Sequence, residues 1–406
     1  MTTSTPTHDL VVFGATGFTG RLVCEHLLSR GDAAGNWAMA GRSQEKLART
    51  ARELGAEHVP QLVVDATDAA ALHAMAASTK VVCTTVGPYA TYGSDVVAAC
   101  ASSGTDYVDL TGEPQWIRRM IDEHHDTAVA SGARIVHCCG FDSIPSDLGT
   151  LVAQTTMHER HGTHASRARL RVKGLRGGAS GGTLASMVTV MEEAAADPAV
   201  AAVLEDPYSL LPAGERIGPH APANSTPAYD EDFGSWTAPF VMELVNAKVV
   251  RRSNALLGYP WGRDFRYGEA VLVGDGFAGR AKATTLAAGT GVTTSALTSS
   301  GVRRLAGRFL PDSGSGPDQT ARAAGFFDIR ILAEHPDDRS KDVLVRVTGD
   351  RDPGYGATSG MLGEAALTLV HGESDVEGGS WTPASALGHA LVRRLQAQAG
   401  ITFEVR

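Results

Sequence analysis

The sequence is short of several things, and each shortage narrows what the chain can be. Cysteine is sparse: five in 406 residues, at 24, 83, 100, 138 and 139. None forms a Cys-x-x-Cys pair, and an odd count without ligand spacing argues against a disulfide framework or a zinc site. They read as reduced thiols at small core positions, which points to a cytoplasmic protein. Long apolar runs are missing as well. No stretch reaches the roughly 18–20 residues that span a bilayer, and the polar start "MTTSTPTH" carries no secretory leader. Positive charge is in deficit, with a formal net charge of −9. Without a basic balance or stripe the chain does not read as a nucleic-acid binder. Lysine is scarcer still, six against thirty arginines, which leaves few lysines to act as bases. Histidines 124 and 125 in "EHH" point apart on a helix and match no metal spacing, so no metal is expected. Internal repeats are absent.

What is present is a chain 43% hydrophobic and long enough for two or three domains. Its first 150 residues alternate strand and helix. "DLVVFG" (9–14), "NWAMAGRS" (36–43), "PQLVVDATD" (60–68), "TKVVCTTVGPY" (79–89), "DYVDL" (106–110) and "ARIVHCCG" (133–140) read as strands. Helical patterns separate them, at 43–55 with Ser43 as N-cap and Gly55 as C-cap, at 93–104 and at 113–132. Six strands alternating with helices predict an α/β fold, a Rossmann-type doubly wound parallel sheet with right-handed crossovers. Ligands of such sheets sit at the carboxyl ends of the strands.

Those ends carry the chemistry. Gly14, Gly17 and Gly20 follow the first strand at three-residue spacing and open a helix. Such a turn lets backbone approach a pyrophosphate and aims a helix N-terminus at it; the alternative is a tight turn without a ligand. Arg21-Leu22 follows, where a kinase-type phosphate loop needs Lys-Ser/Thr. The second strand ends in Arg42 and Ser43 rather than an acidic residue, and a guanidinium suits a 2′-phosphate, so NADP is expected over NAD. Asp65 ends the third strand, where it can accept from an adenine amino group or simply cap a helix. The expected cofactor contacts are Gly14, Thr16, Gly17, Phe18, Thr19 and Gly20 from the turn, Arg42 and Ser43, Asp65 and Ala66, and Thr85, Gly87, Pro88 and Tyr89 from the fourth strand end. Candidate proton donors are Tyr89, Asp109, Asp142 and Tyr355, with packing or helix capping as the alternative role for each. Cys139 can line the cleft, but it has no evident base and is not expected to be a nucleophile.

"VVFGATGFTG", "AGRS", "TTVGPYATYG", "YVDLTGE" and "CGFDSIPSDLG" together resemble the saccharopine dehydrogenase-like oxidoreductases, most of all the bacterial trans-acting enoyl reductase branch. Later segments agree, among them "ASGGTLAS" (179–186), "DPGYGATSGMLGEAALTLV" (352–370) and "TPASALGHALVRRLQAQAGITFEV" (382–405). The resemblance implies a dinucleotide domain over 1–150, an inserted α+β, mixed-sheet domain for substrate and dimerisation over 151–351, and a C-terminal helical segment over 352–406 packing back on the first. Strands are expected at 166–174, 240–251, 268–275, 326–334 and 342–349, and a helix at 181–197. The Pro-rich stretch 205–239 reads as a surface excursion, and 313–318 as a flexible loop.

Three reactions remain open for a nicotinamide enzyme of this type: reduction of an enoyl thioester, of an imine beside a carboxylate, or of a simple carbonyl. Imine chemistry should bring carboxylate clamps from Lys173, Arg176, Lys248, Arg251, Arg252, Arg263 or Arg266. The family's saccharopine reductase has a Gly-Leu-Asp-Pro-Gly turn where this chain has "GFDSIPSD". That departure favours an acyl or polyketide-like substrate, carried on an acyl carrier or CoA. A binding scaffold or sensor with little catalysis is the non-enzymatic alternative. The basic amphipathic stretch 298–312 admits peripheral membrane contact, although covering a core or subunit interface is the commoner use of such a helix. A homodimer is also possible.

Overall fold

The protein is described by a computed structural model covering residues 6–177, 181–215, 218–219, 223–297 and 316–406. Its N-terminal part alternates as expected: β1 (His8–Phe13), α1 (Phe18–Arg30), β2 (Trp37–Gly41), α2 (Gln44–Leu54), β3 (Gln61–Val63), α3 (Ala69–Ala77), β4 (Thr79–Thr84), the short α4 (Tyr89–Tyr92), α5 (Ser94–Ser103), β5 (Asp106–Val108), α6 (Pro114–Ser131), β6 (Arg134–Val136) and α7 (Ile144–His161). The ends are set by local chemistry. Ser43 Oγ accepts from Lys46 N at the start of α2, and Gly55 closes it in the left-handed region. Asp68 caps α3 in the same way.

The strands form a seven-stranded sheet in the order β13-β6-β5-β4-β1-β2-β3, parallel throughout. The chain reverses direction of travel between β1 and β4, which opens a crevice at their carboxyl ends. Val11, Val12, Val81 and Val82 are buried because helices cover both faces. The seventh strand, β13 (Gly379–Trp381), comes from the C-terminal segment and pairs Ser380 with Ile135.

The second sheet runs β14-β12-β11-β7-β10-β9-β8. It is built from β7 (Arg167–Arg176), β8 (Ala228–Asp230), β9 (Ser235–Ala238), β10 (Arg266–Gly274), β11 (Phe326–Glu334), β12 (Val343–Gly349) and β14 (Ile401–Val405). It is mixed: β7 and β10 are parallel, and the remaining pairs are antiparallel. Helix α7 leaves the first sheet and backs the second. At Gly149 a Cβ would lie 2.4 Å from Ile331 Cδ1, so only glycine lets the helix sit this close. Among the described residues the longer helices of this half are α8 (Gly181–Ala196), α9 (Pro198–Glu205), α10 (Glu243–Leu256) and α11 (Gly276–Leu297).

Four expectations change. The stretch 240–251, expected as a strand, lies largely in α10. It is buried nearly all round, so it lacks the one-sided periodicity that marks a surface helix, and its valine pairs mimic a strand. The Pro-rich excursion holds the edge strands β8 and β9. The C-terminal segment is not purely helical, since it supplies a strand to each sheet. Position 150 falls inside α7 rather than between elements. The basic segment 298–312 and positions 313–315 lie outside the described residues.

Candidate active site

Gly14 adopts φ +93°, a conformation that side chains avoid, and this turns the chain out of β1 toward α1. A Cβ at Gly20 would stand 2.1 Å from the Gly14 carbonyl oxygen. Gly20 is therefore needed for close packing of the turn, and it does not face the cleft, contrary to its expected cofactor contact. Thr85 Oγ1 donates to Gly14 O at 3.3 Å and knits the β4 end to the turn. No acidic residue occupies the first turn of α1, and its N-cap Gly17 offers no side-chain cap. An uncapped helix N-terminus of this kind suits a phosphate.

The turn opens into a cleft of about 1190 Å³. Thr16, Gly17, Phe18 and Thr19 line one end, with Arg42, Asp65 and Ala66. Thr85, Gly87 and Pro88 line the middle, across a cis Gly87–Pro88 bond. Ser43 is spent on capping α2 and does not line the cleft. Asp65 accepts from Thr67 N at 2.9 Å and Thr67 Oγ1 at 2.8 Å, and these bonds hold its carboxyl below the ordinary value. Lys46, one turn into α2, joins Arg42 on the wall, and the sequence reading passed over it. Among the described residues neither cation is held in an ion pair. Together they fit a 2′-phosphate better than a bare ribose hydroxyl.

The four candidate acids meet different fates. Tyr89 is buried. Its hydroxyl donates to Thr84 O at 3.1 Å and accepts from Leu110 N at 3.3 Å, and burial pushes its pKa well up. It braces the loop and is not placed to release a proton. Asp109 lies beneath the cleft, not in its wall. It accepts from Tyr107 Oη, His137 Nδ1, Thr111 N and Cys138 N at 2.7–3.1 Å. Asp142 does line the cleft, half-buried. Its carboxyl makes no hydrogen bond among the described residues, and desolvation pushes it up to about 6. Tyr355 lines the cleft too, accepting from Gly181 N at 3.0 Å and meeting Phe18 edge-on at 4.7 Å. Cys139 is fully buried with its thiol pKa raised.

The far end of the cleft is apolar. Met187, Val190 and Met191 of α8 face Met242 and Val245 beside and within α10, with Leu286 from α11. The expected carboxylate clamps are elsewhere, and none lines the cleft. Lys248 donates to the Leu204 and Asp206 carbonyls, and burial lowers it to about 8. Arg251 reaches Tyr267 O at 3.1 Å, and Arg252 reaches Ser380 O at 2.7 Å. Arg263 lies 4.0 Å over the Tyr259 ring.

Residues 10–136 match the saccharopine dehydrogenase NADP binding domain. The chain is 36% identical to the trans-acting enoyl reductase of Mycobacterium leprae, covering 97% of each. It is 41% identical to a Mycobacterium tuberculosis protein that carries the same name provisionally, covering 99% of this chain and 98% of that one. The chain belongs to the saccharopine dehydrogenase-like oxidoreductases, in the trans-acting enoyl reductase branch. It is an NADP-dependent oxidoreductase. The fold agrees with two solved structures. Saccharopine dehydrogenase (L-Glu forming) from Saccharomyces cerevisiae aligns with a TM-score of 0.52 at 14% identity, covering 98% of this chain and 99% of that one. Homospermidine synthase from Legionella pneumophila aligns with 0.51 at 9% identity, covering 100% and 93%.

Proposed function

We propose that this enoyl reductase relative reduces an α,β-unsaturated acyl thioester, carried on an acyl carrier or CoA, at the expense of NADPH. The observation that carries the reading is the far end of the cleft, walled by methionine, valine and leucine, with the nearby cations turned onto backbone carbonyls. An amino-acid imine needs a charged clamp; an acyl chain needs apolar surface and an adaptable wall, which methionine provides. Bound NADPH supplies hydride to the carbon β to the thioester carbonyl. The protein's part is to hold the chain, exclude water and deliver a proton to the α carbon. Asp142 suits that delivery: a cleft carboxyl with a raised pKa and, among the described residues, no hydrogen-bond partner. The balance is hydride plus proton onto the double bond, giving the saturated thioester and NADP⁺.

The test mixes purified protein, NADPH and a medium-chain enoyl thioester, following loss of reduced-nicotinamide absorbance and the product mass. A product heavier by two hydrogens supports the reading. Turnover confined to a carboxylated imine would replace it with the amino-acid alternative.

A further inference from the structure

Helix α8 is held unlike α7 and α10. None of its described side chains is fully buried, whereas α7 and α10 bury most of theirs. A helix with little buried apolar area opens at low cost. Yet α8 forms a wall of the cleft through Met187, Val190 and Met191. Polar ties seat it. Gly181 N donates to Tyr355 Oη at 3.0 Å, Gln115 Nε2 donates to Glu193 Oε2 at 2.9 Å, and Ser186 Oγ donates to Glu113 Oε1 at 2.7 Å.

The last tie leads to the cofactor end. Glu113 is fully buried, and the same Oε1 accepts from Tyr89 N at 2.9 Å while Oε2 accepts from Ala90 N at 2.8 Å. Those amides follow Gly87–Pro88 directly. One carboxylate thus grips both the cleft loop beside the glycine turn and the middle of the substrate wall. An ionised carboxylate is acceptor-only on both oxygens and can take all three donors; an amide in its place loses one oxygen and adds donors.

We propose that Glu113 is a positioning residue that couples the seating of α8 to the placement of the Gly87–Pro88 loop. Cofactor contact with the loop then steadies the α8 wall, so bound NADPH slows its opening. The inference rests on the NADP site and not on the identity of the substrate.

Hydrogen exchange of the 181–196 segment tests it in the full-length protein, with and without saturating NADPH, binding being read by cofactor fluorescence in the same samples. In the wild type NADPH should slow exchange of this segment several-fold. Ser186→Ala should bind NADPH with unchanged affinity and melt at an unchanged temperature, yet lose that slowing; Ser186→Thr should restore it. Glu113→Gln should lose the slowing and also bind NADPH several-fold more weakly. Exchange in the wild type that is indifferent to bound NADPH overturns the proposal, and so does Ser186→Ala protected like the wild type. A Ser186→Ala protein that loses melting temperature and affinity together overturns it too, since that is a plain structural tie.

Discussion

Three side chains carry residue-scale predictions. Arg42→Ala should weaken NADPH binding by about 1–3 kcal/mol, the scale of a lost charge-assisted hydrogen bond. NADH binding should be nearly untouched, as measured by fluorescence titration of each cofactor. Lys46→Ala should act in the same direction. Asp142 gives a pH signature. Its carboxyl is pushed up to about 6 by desolvation, and the protonated form is the one that can donate. If it delivers the proton, the rate of the chemical step is highest below that value and falls as pH rises through it. Asp142→Asn should abolish that limb and lower single-turnover rates by about 10²–10⁴-fold. Arg42, Gly14 and Gly17 were legible in the cleft wall because a strand end and a turn are local features, whereas Gly20 packs behind the turn. Asp109 misled for the same reason. Strand-end position says nothing about whether a side chain points into the cleft or is consumed beneath it, as Asp109 is by its four donors.

Among the elements, α8 and α10 wall the apolar end of the cleft. Met242 stands at the start of α10 and reaches across toward Gly112, where a Cβ would meet its Cε at 3.9 Å. Met242→Ala should cost a long-chain acyl thioester about 1 kcal/mol of binding, roughly the worth of one or two buried methylene groups. A short-chain thioester and NADPH should be unaffected, so the comparison of KM across chain lengths is the check. The alternating strands and helices of the first sheet were readable because most of those helices stop at a glycine, and α2 and α3 carry a side-chain cap. Helix α10 was not, because a helix buried on most of its surface shows apolar and charged residues without a stripe. Its Lys248, Arg251 and Arg252 are buried against carbonyls that only the fold brings near.

For the whole molecule, the C-terminal segment locks the two halves. Glu364, fully buried on the helix Thr358–Val370, meets His26 Nε2 at 2.8 Å, Arg30 Nε at 2.9 Å and Arg394 Nε at 2.9 Å. Burial works against its charge, but His26, Arg394 and Arg30 outweigh it and hold the carboxyl below its ordinary value. A depressed acid stabilises the fold fully above its unfolded pKa, and that contribution is lost as pH falls through the folded one. Acid unfolding should therefore draw on this site below about pH 4.3, the ordinary glutamate value. Glu364→Gln should destabilise by about 3–5 kcal/mol at neutral pH, because Arg30 loses its carboxylate and Arg394 keeps only Glu373, and denaturant unfolding measures it. Its acid sensitivity should be correspondingly smaller.

The sequence by itself determined the parallel sheet, the glycine turn and the NADP preference. Each is written in residues close together along the chain: a cap, a stop, a strand end with arginine instead of an acid. The tertiary structure alone decided which acid faces the cleft, which cations are spent on carbonyls, and that the far end of the cleft is apolar. Glu113 shows the difference in one residue. In sequence it is the acid before a proline at a helix start; in space it joins Tyr89 and Ala90 to Ser186, more than seventy residues on. Burial and long-range pairing are properties of the assembled layers, and no local pattern encodes them.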